Sequence, residues 1–356
     1  MFNSISAKLA FFFLLLVAVI ALFASILANT DNGLLVKYGP NTIGQKNNTF
    51  EPPGFVDTYN DIDRVHPLGT DGRGRDVASI LIHGSRTSIL LGFFASLISI
   101  LFGTSLGLAS AYYGNNSLII HPFQIILFVI GTILICFYAY EWSWVRGDQK
   151  LYFNNLLFIL SVILGIFFLI TLLRLLSRSL KGIIAFPMDS IVMRFTEIFR
   201  AVPKLFLLLF LITFLKSQGL WTTTLLLGAL GWSRILRLVR GEVLEIKQQT
   251  YVINAKIMGL SDFRIILKHI LPNVMPLILV SMAFLISGNI LMESTLSFLG
   301  LGLPLDLPSW GGLLRQSRED FGAWWLAVFP GFTITFTLFS LNILAEHYNK
   351  LSKKAF

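Results

Sequence analysis

Apolar residues along the chain are grouped in runs, and several of these runs approach the length of about 20 residues that an α-helix needs to cross a lipid bilayer. The longest polar segment between them is rich in proline, glycine and asparagine. Eight membrane spans are predicted from this pattern, at roughly 8–29, 86–113, 121–140, 152–173, 190–216, 220–238, 274–292 and 323–345. The pattern therefore predicts an all-α, polytopic membrane protein.

The first apolar run is longer than the core of a typical signal peptide, so it is interpreted as a retained helix, with cleavage after Ala28 as the alternative. The predicted organisation follows from the spans. It comprises an N-terminal transmembrane helix at 1–29, an extracytoplasmic segment at 30–85, a transmembrane domain at 86–345 and a cytoplasmic tail at 346–356.

Composition supports the membrane class. Hydrophobic residues make up 55% of the 356 residues and charged residues 13%, and the surface of an ordinary soluble domain would need more charge. The net charge of +9 arises from basic residues near helix ends, notably in 174–181, 234–272 and 350–354. Because such loops stay on the cytoplasmic side, both termini of a protein with an even number of spans are predicted to be cytoplasmic. The charge is thus a topology signal and does not indicate nucleic-acid binding.

The segment Tyr251–Asn273 interrupts the apolar pattern with charged residues that would be costly inside a bilayer. Two short helices are predicted, with Gly259 ending the first in a left-handed turn, Ser261 capping the second and Pro272 stopping it. The apolar face of the second helix would carry Phe263, Ile266, Leu267 and Ile270. The residues alone leave two interpretations open: a helix resting on the lipid surface, or a docking element seated in a partner's groove.

The spacing in this segment resembles the signature cytoplasmic loop of permeases of ATP-binding-cassette (ABC) importers. The matching positions are Ala255, Gly259, Ile265, His269, Leu271 and Pro272. Stretches 66–92, 231–247 and 293–314 resemble, more specifically, the C-type subunit of the dipeptide, oligopeptide and nickel branch of that family. The chain departs from the family pattern at Ile253, Asn254 and Ala255, where Glu-Ala-Ala is usual, and at 115–187, which add two spans to the usual six.

The resemblance implies a type I ABC-importer permease fold in the inner (cytoplasmic) membrane, with six core helices plus an extra pair at roughly 115–187. The implied function is import of short peptides, with nickel or another small solute as alternatives. The implied partners are a homologous second permease, two ATPase subunits and an external solute-binding protein. Since ATP would be bound by the ATPase subunits, we expect no cofactor, metal or catalytic residue in this chain, which would not itself be an enzyme.

The resemblance also implies candidate site residues. The loop at 241–272 is expected to dock on an ATPase through Asn254, Ala255, Gly259, Ser261, Asp262, Phe263, Ile266, Leu267, His269 and Pro272. The external loops are expected to face the solute-binding protein through His66, Gly69, Asp71, Arg75, Asp76, Pro304 and Trp310. Gly103 and Gly107 are four residues apart, a spacing at which small side chains let helices approach closely.

Two other classes of function are disfavoured by the sequence. An ion-coupled secondary transporter usually carries coupling acids near the middle of broken spans, and no convincing pair of buried acids is seen. A membrane-embedded hydrolase would need a nucleophile and a base inside the spans. ATP hydrolysis by the chain itself would need a phosphate-binding loop ending in Gly-Lys-Ser/Thr, and the sequence contains no Gly-Lys dipeptide.

The extra helical pair yields a prediction about topology. Position 147 lies in a charge-balanced, tryptophan-rich loop and position 179 in a basic one, so Gly147 should be external and Ser179 cytoplasmic. Single cysteines placed at each position in a Cys136→Ser background can be labelled from either side of the membrane. Labelling of position 147 from the cytoplasmic side alone would contradict the prediction.

Overall fold

A computed structural model of the chain describes residues 4–30, 33–42, 48–59, 62–115, 119–120, 184–185, 187–215 and 219–355. The chain divides into two compact units, one formed by Met1–Tyr112 with Arg194–Phe356 and the other by Tyr113–Met193. In the second unit, residues 119–120 pair with 184–185 as a short antiparallel ladder. The predicted spans at 121–140 and 152–173, with positions 147 and 179, lie outside the described residues.

The first unit is helical apart from one hairpin. Its elements begin with α1 (Ile5–Leu22) and α2 (Ala24–Leu27), followed by an antiparallel hairpin of β1 (Phe55–Tyr59) and β2 (Ile62–His66). The other helices are α3 (Val77–Tyr113), α4 (Met188–Ala201), α5 (Lys204–Leu215), α6 (Leu220–Ile246), α7 (Thr250–Ile257), α8 (Asp262–Phe298), α9 (Trp310–Gln316) and α10 (Trp325–Ala355). The first residues of α4 belong to the second unit.

Four of the described helices, α1, α3, α8 and α10, are long and apolar enough to cross a membrane. The pair α4 and α5, which is bent by 82°, could supply a fifth span. The all-α prediction and the membrane class are confirmed. Helix α6, which contains the predicted span at 220–238, is not among these helices. The predicted total of eight spans is not tested, because two other predicted spans lie outside the described part of the chain.

Several helices extend past the predicted spans, because a helix can continue into water beyond the end of its apolar run. Helix α3 begins at Val77 rather than at 86, within the segment predicted as extracytoplasmic loop. The side chain of Asp76 starts it, since its Oδ1 accepts a hydrogen bond of 2.7 Å from the backbone N–H of Ser79. Helix α10 likewise continues to Ala355, through most of the predicted tail.

The predicted span at 190–216 is two helices rather than one. Pro203 lies at the break, and because it has no backbone N–H it cannot continue the hydrogen-bond ladder of α4. Its carbonyl instead accepts a hydrogen bond of 3.2 Å from the N–H of Leu207 and so begins α5. Two residues in the first turn of α5, Lys204 and Leu207, line a cavity beside this break.

Helices α3 and α6 approach each other closely at two glycines. A Cβ atom on Gly103 would lie 2.7 Å from the backbone oxygen of Trp232 and 2.8 Å from the Cβ of Ile235. A Cβ atom on Gly107 would lie 2.8 Å from the backbone oxygen of Leu236. The structure thus places both glycines at a helix–helix contact that leaves no room for a larger side chain.

Buried polar side chains add hydrogen bonds between the same helices. The Ser99 hydroxyl of α3 donates to the backbone oxygen of Gly228 in α6 at 2.8 Å. The Asn289 amide of α8 donates to the hydroxyl of Ser96 in α3 at 3.0 Å. Helix α3 therefore holds both α6 and α8 through small and polar residues, as is common for helices inside lipid.

Replacing Gly103 tests this contact. Gly103→Val should lower the free energy of unfolding by about 1–3 kcal/mol, because the new methyl groups overpack the α3–α6 contact. Gly241→Ala in α6 is the matched control, since nothing lies within 4 Å of its added Cβ. Thermal unfolding of the purified variants in detergent measures the difference. Equal melting temperatures for Gly103→Val and the control would contradict the predicted contact.

Candidate functional site

The connection between α6 and α8, residues 247–261, contains α7 and ends in a glycine turn. Gly259 has φ of +76°, the left-handed region that favours glycine, and nothing lies within 4 Å of an added Cβ. The N–H of Leu260 donates to the carbonyl of Ala255 at 3.2 Å, and the N–H of Gly259 donates to that of Lys256 at 3.0 Å. These bonds close the end of α7, so the requirement for glycine here is conformational rather than steric.

The start of α8 differs from its prediction. Ser261 has an extended backbone, but its side chain makes no capping hydrogen bond to the helix. The neighbouring Asp262 instead accepts a hydrogen bond of 2.6 Å at Oδ1 from the hydroxyl of Tyr112, at the end of α3. The first turn of α8 is therefore bonded to α3 through Tyr112, a residue that the sequence analysis did not identify.

A lysine completes this junction. The Lys247 ammonium, one residue beyond α6, donates to the backbone oxygen of Tyr112 and lies 5.5 Å from the centre of its ring. Burial lowers the pKa of Lys247, nearby Lys256 lowers it further, and the Asp262 carboxylate opposes them. The ends of α3 and α6 and the start of α8 thus meet at one polar junction of Tyr112, Lys247 and Asp262.

The prediction that Pro272 stops the second helix is wrong. Helix α8 runs from Asp262 to Phe298 without a break, with a wide π-helical turn at Ile266–Ile270. Pro272 has no N–H and its ring crowds the preceding turn of a regular helix, whereas a widened turn relieves this conflict. The segment predicted as a separate docking helix is therefore continuous with the membrane span.

Several large apolar side chains of this region are exposed. Met258 is 80% exposed, Ile257 78%, Phe263 71% and Leu267 43%. We call these four residues the exposed apolar face. Ile270 was predicted on the same face but is fully buried, because the π-helical turn changes the register of the residues that follow it.

The remaining predicted docking residues divide between surface and interior. Asn254 and Pro272 are exposed, Ile266 and His269 are half-buried, and Ala255 is buried. Ile253, at the position where the family usually has glutamate, is 47% exposed. The structure thus brings an apolar surface to the turn around Gly259 and leaves Ala255 as a packing residue.

A second cluster of predicted residues lies at the opposite end of α3, in a structure we call the polar cap, residues 36–42, 48–59, 62–76 and 303–325. Its centre is Asp71, whose Oδ2 accepts hydrogen bonds from Arg75 Nε at 2.8 Å and Gln316 Nε2 at 3.1 Å. The Arg75 guanidinium also donates to the backbone oxygen of Leu305 at 2.8 Å. The buried ion pair of Asp71 and Arg75 is therefore hydrogen-bonded to a segment that is far away in sequence.

His66, Asp76 and Trp310 also make contacts within the chain. The His66 imidazole lies against Asp76, with Nδ1 and Oδ2 separated by 2.9 Å, and stacks on the Tyr38 ring at 4.2 Å. The indole of Trp310 donates to the backbone oxygen of Leu81 at 3.2 Å. These contacts fix the cap on the first turns of α3.

The predicted contact residues of the external loops are therefore corrected. Five of them are at most 3% exposed: His66, Asp71, Arg75, Asp76 and Trp310. Gly69 is buried as well, and Pro304 is half-buried. Because these side chains are buried and bond to other residues of the cap, they hold the cap together and do not line its exposed surface.

Sequence reasoning missed one buried acid. The carboxyl group of Glu293 in α8 is fully buried and accepts a hydrogen bond of 2.8 Å from the hydroxyl of Ser297. Only its place among serines in the stretch 293–297 could have indicated such a site. Among the described residues, no group of three or more His, Cys, Asp or Glu residues is arranged to hold a metal ion.

Comparisons with known proteins agree with this architecture. Residues 183–354 match the family described as "Binding-protein-dependent transport system inner membrane component". The oligopeptide transport system permease protein OppC of Haemophilus influenzae is 35% identical over 310 residues, which cover 84% of this chain and 76% of the relative. The dipeptide transport system permease protein DppC of Bacillus subtilis is 30% identical over 283 residues, which cover 79% of this chain and 66% of the relative.

The helical fold, with several helices long and apolar enough to cross a membrane, defines the class: an integral membrane protein. More particularly, the chain belongs to the family of binding-protein-dependent transport system inner membrane components, the permease subunits of ABC importers. The resemblance found in the sequence motifs is thereby confirmed.

The polar cap supplies a prediction about stability. Asp71→Asn should lower the free energy of unfolding by about 3–5 kcal/mol, because it leaves the buried Arg75 guanidinium without a counter-charge. The matched control is Asp306→Asn, since the Asp306 side chain is 84% exposed in its 3.0 Å ion pair with Arg73. Its cost should stay below about 1 kcal/mol. Thermal unfolding in detergent compares the two, and equal losses would contradict the assignment.

Proposed function

We propose that this chain is a permease subunit of an ATP-driven importer of short peptides. The observation that carries the proposal is the continuity of α8, which extends from the exposed apolar face into the membrane span. A movement imposed on the loop by a partner would therefore reach the span directly. The peptide substrate is supported by the names of the relatives, which are permeases of dipeptide and oligopeptide transport systems.

The partner at the exposed apolar face is proposed to be an ATPase subunit. Ile257 and Met258 project from the glycine turn and Phe263 from the first turn of α8, which are positions that could enter a cleft. A lipid surface is the other occupant considered from the sequence. The ATPase is favoured because the turn carries large exposed apolar side chains and is tied to two further helices by the polar junction, which suits a rigid protein contact.

The orientation follows from this partner. ATPase subunits work where ATP is available, so the loop at 247–261 and both chain termini are assigned to the cytoplasmic side of the inner membrane, in agreement with the basic residues near the helix ends. The polar cap then lies outside. ATP would be bound by the partner subunits, and the chain itself would carry no cofactor.

On the external side, we assign the solute-binding protein to the exposed rim of the polar cap. Arg73 and Asp306 form an ion pair there, with side chains 44% and 84% exposed, and Leu307 is 38% exposed. These residues replace the buried ones as proposed contacts. A second, homologous permease is expected to complete the pathway, as the family resemblance implies.

The docking assignment predicts a loss of assembly in two variants. Phe263→Ala should weaken ATPase association about tenfold or more, since an apolar interface anchor commonly contributes more than 1.4 kcal/mol. Gly259→Val should also weaken it, because valine resists the left-handed turn and the exposed apolar face would be misdirected. Co-purification of the ATPase subunits in detergent and stimulated ATP hydrolysis measure both effects.

The control is Leu351→Ala, which removes an apolar side chain that is 40% exposed on α10, outside the loop. It should leave association and hydrolysis unchanged. If Phe263→Ala and Gly259→Val behave like this control, the segment is a helix resting on lipid and the ATPase assignment is incorrect.

A further inference from the structure

A cavity of about 530 Å³ lies beside the break between α4 and α5. Its walls come from the end of α4 and from α5, α6 and α8. Two of these helices, α6 and α8, are the ones that α3 holds together. A volume of this size falls within the range of about 300–1,000 Å³ that is typical of small-molecule sites and is sufficient for a dipeptide or tripeptide.

The lining of this cavity is strongly basic. Four cationic residues line it, and no aspartate or glutamate does: Arg200, Lys204, Arg234 and Arg237. The ion pairs found among the described residues involve none of the four. Their positive charge is therefore not neutralised by a carboxylate within the described part of the chain.

The position of the cavity along the helix bundle can be measured on α3. Arg234 lies between Trp232 and Ile235, which contact Gly103 of α3. Gly103 precedes Tyr112, at the polar junction, by nine residues, which correspond to about 14 Å of helix. Arg234 therefore lies about 14 Å along the bundle from the polar junction, in the direction of the polar cap.

Cationic side chains beside membrane spans are costly in contact with lipid and normally face a water-filled cavity or a bound anion. Lys204 is the first residue of α5, directly after the break at Pro203, and its side chain lines this cavity. A lipid phosphate could also neutralise these residues, but their placement around a cavity walled by α4, α5, α6 and α8 favours a ligand that enters the protein.

We propose that this cavity is a carboxylate site on the transport pathway, in which Lys204, Arg234 and Arg237 bind the terminal carboxylate of a peptide in transit. The proposal rests on the proposed peptide-import function. Every unmodified linear peptide has this carboxylate whatever its side chains, so the site would hold peptides without selecting their sequence. Arginine suits the role because its guanidinium forms paired hydrogen bonds with a carboxylate.

Charged thiol reagents can test whether the electrostatic potential in the cavity is positive. Gly288→Cys in a Cys136→Ser background places a thiol on the cavity wall, where nothing lies within 4 Å of the new Cβ. In the complete importer in liposomes, anionic methanethiosulfonate ethylsulfonate should react about tenfold faster than its cationic trimethylammonium counterpart, each rate corrected for reaction with a free thiol. Leu291→Cys, outside the cavity lining and 52% exposed, is the positional control and should show no preference for the anionic reagent.

Variants of the basic residues identify the source of the preference. Lys204→Gln with Arg234→Gln should reduce the anionic preference severalfold, whereas Lys204→Arg with Arg234→Lys should retain it. Dialanine should slow the reaction of Gly288→Cys, and alanylalanine amide, which lacks the carboxylate, should not. An unreactive cysteine, an unchanged preference in the glutamine variant or equal protection by both peptides would overturn the proposal.

Two further measurements separate the alternatives. Varying the phosphatidylglycerol content of the liposomes tests the lipid source, and protection by this lipid but not by dialanine would overturn the proposal in favour of a lipid-phosphate site. Uptake of labelled dialanine by the wild-type importer is measured in parallel. Uptake together with a missing preference for the anionic reagent, or with missing protection by dialanine, would contradict the carboxylate site but not the peptide-import function. If uptake is absent, the proposed peptide-import function fails.

Discussion

The contact of α3 with α6 and α8 is the constraint on which the rest of the structure depends. Helices in lipid gain little from hiding apolar side chains from one another, so their association requires close packing and hydrogen bonds. Gly103 and Gly107 allow the backbones to approach, and Ser99 and Asn289 provide hydrogen bonds between helices. This contact sets the position along α3 of the α6 and α8 residues that line the cavity.

Both functional ends are built on α3. At one end Asp76 starts the helix within the polar cap, and at the other Tyr112 holds Lys247 and Asp262 at the polar junction. Because α8 continues from that junction through the membrane, a displacement of the exposed apolar face would move the span that lines the cavity. The fold thereby offers a short mechanical route from a partner at the loop to a solute in the membrane.

The features that depend on local sequence were predictable. The helical membrane class follows from apolar runs, and the left-handed turn at Gly259 follows from a glycine at the end of a helical pattern. Other features depend on distant contacts, such as the burial of Asp71 by Gln316, 245 residues away. The π-helical turn before Pro272 was missed because a proline more often ends a helix, and the cavity was missed because its basic residues come from different helices.

The central claim is that ATP hydrolysis by partner subunits drives peptide movement through this chain. Uptake of labelled dialanine into liposomes that contain the complete importer tests it most directly, with ATP and an ion gradient supplied separately. The account predicts uptake that requires this chain, the solute-binding protein and hydrolysable ATP, and that persists after ionophores collapse the gradient. Uptake driven by the gradient in the absence of ATP would contradict it.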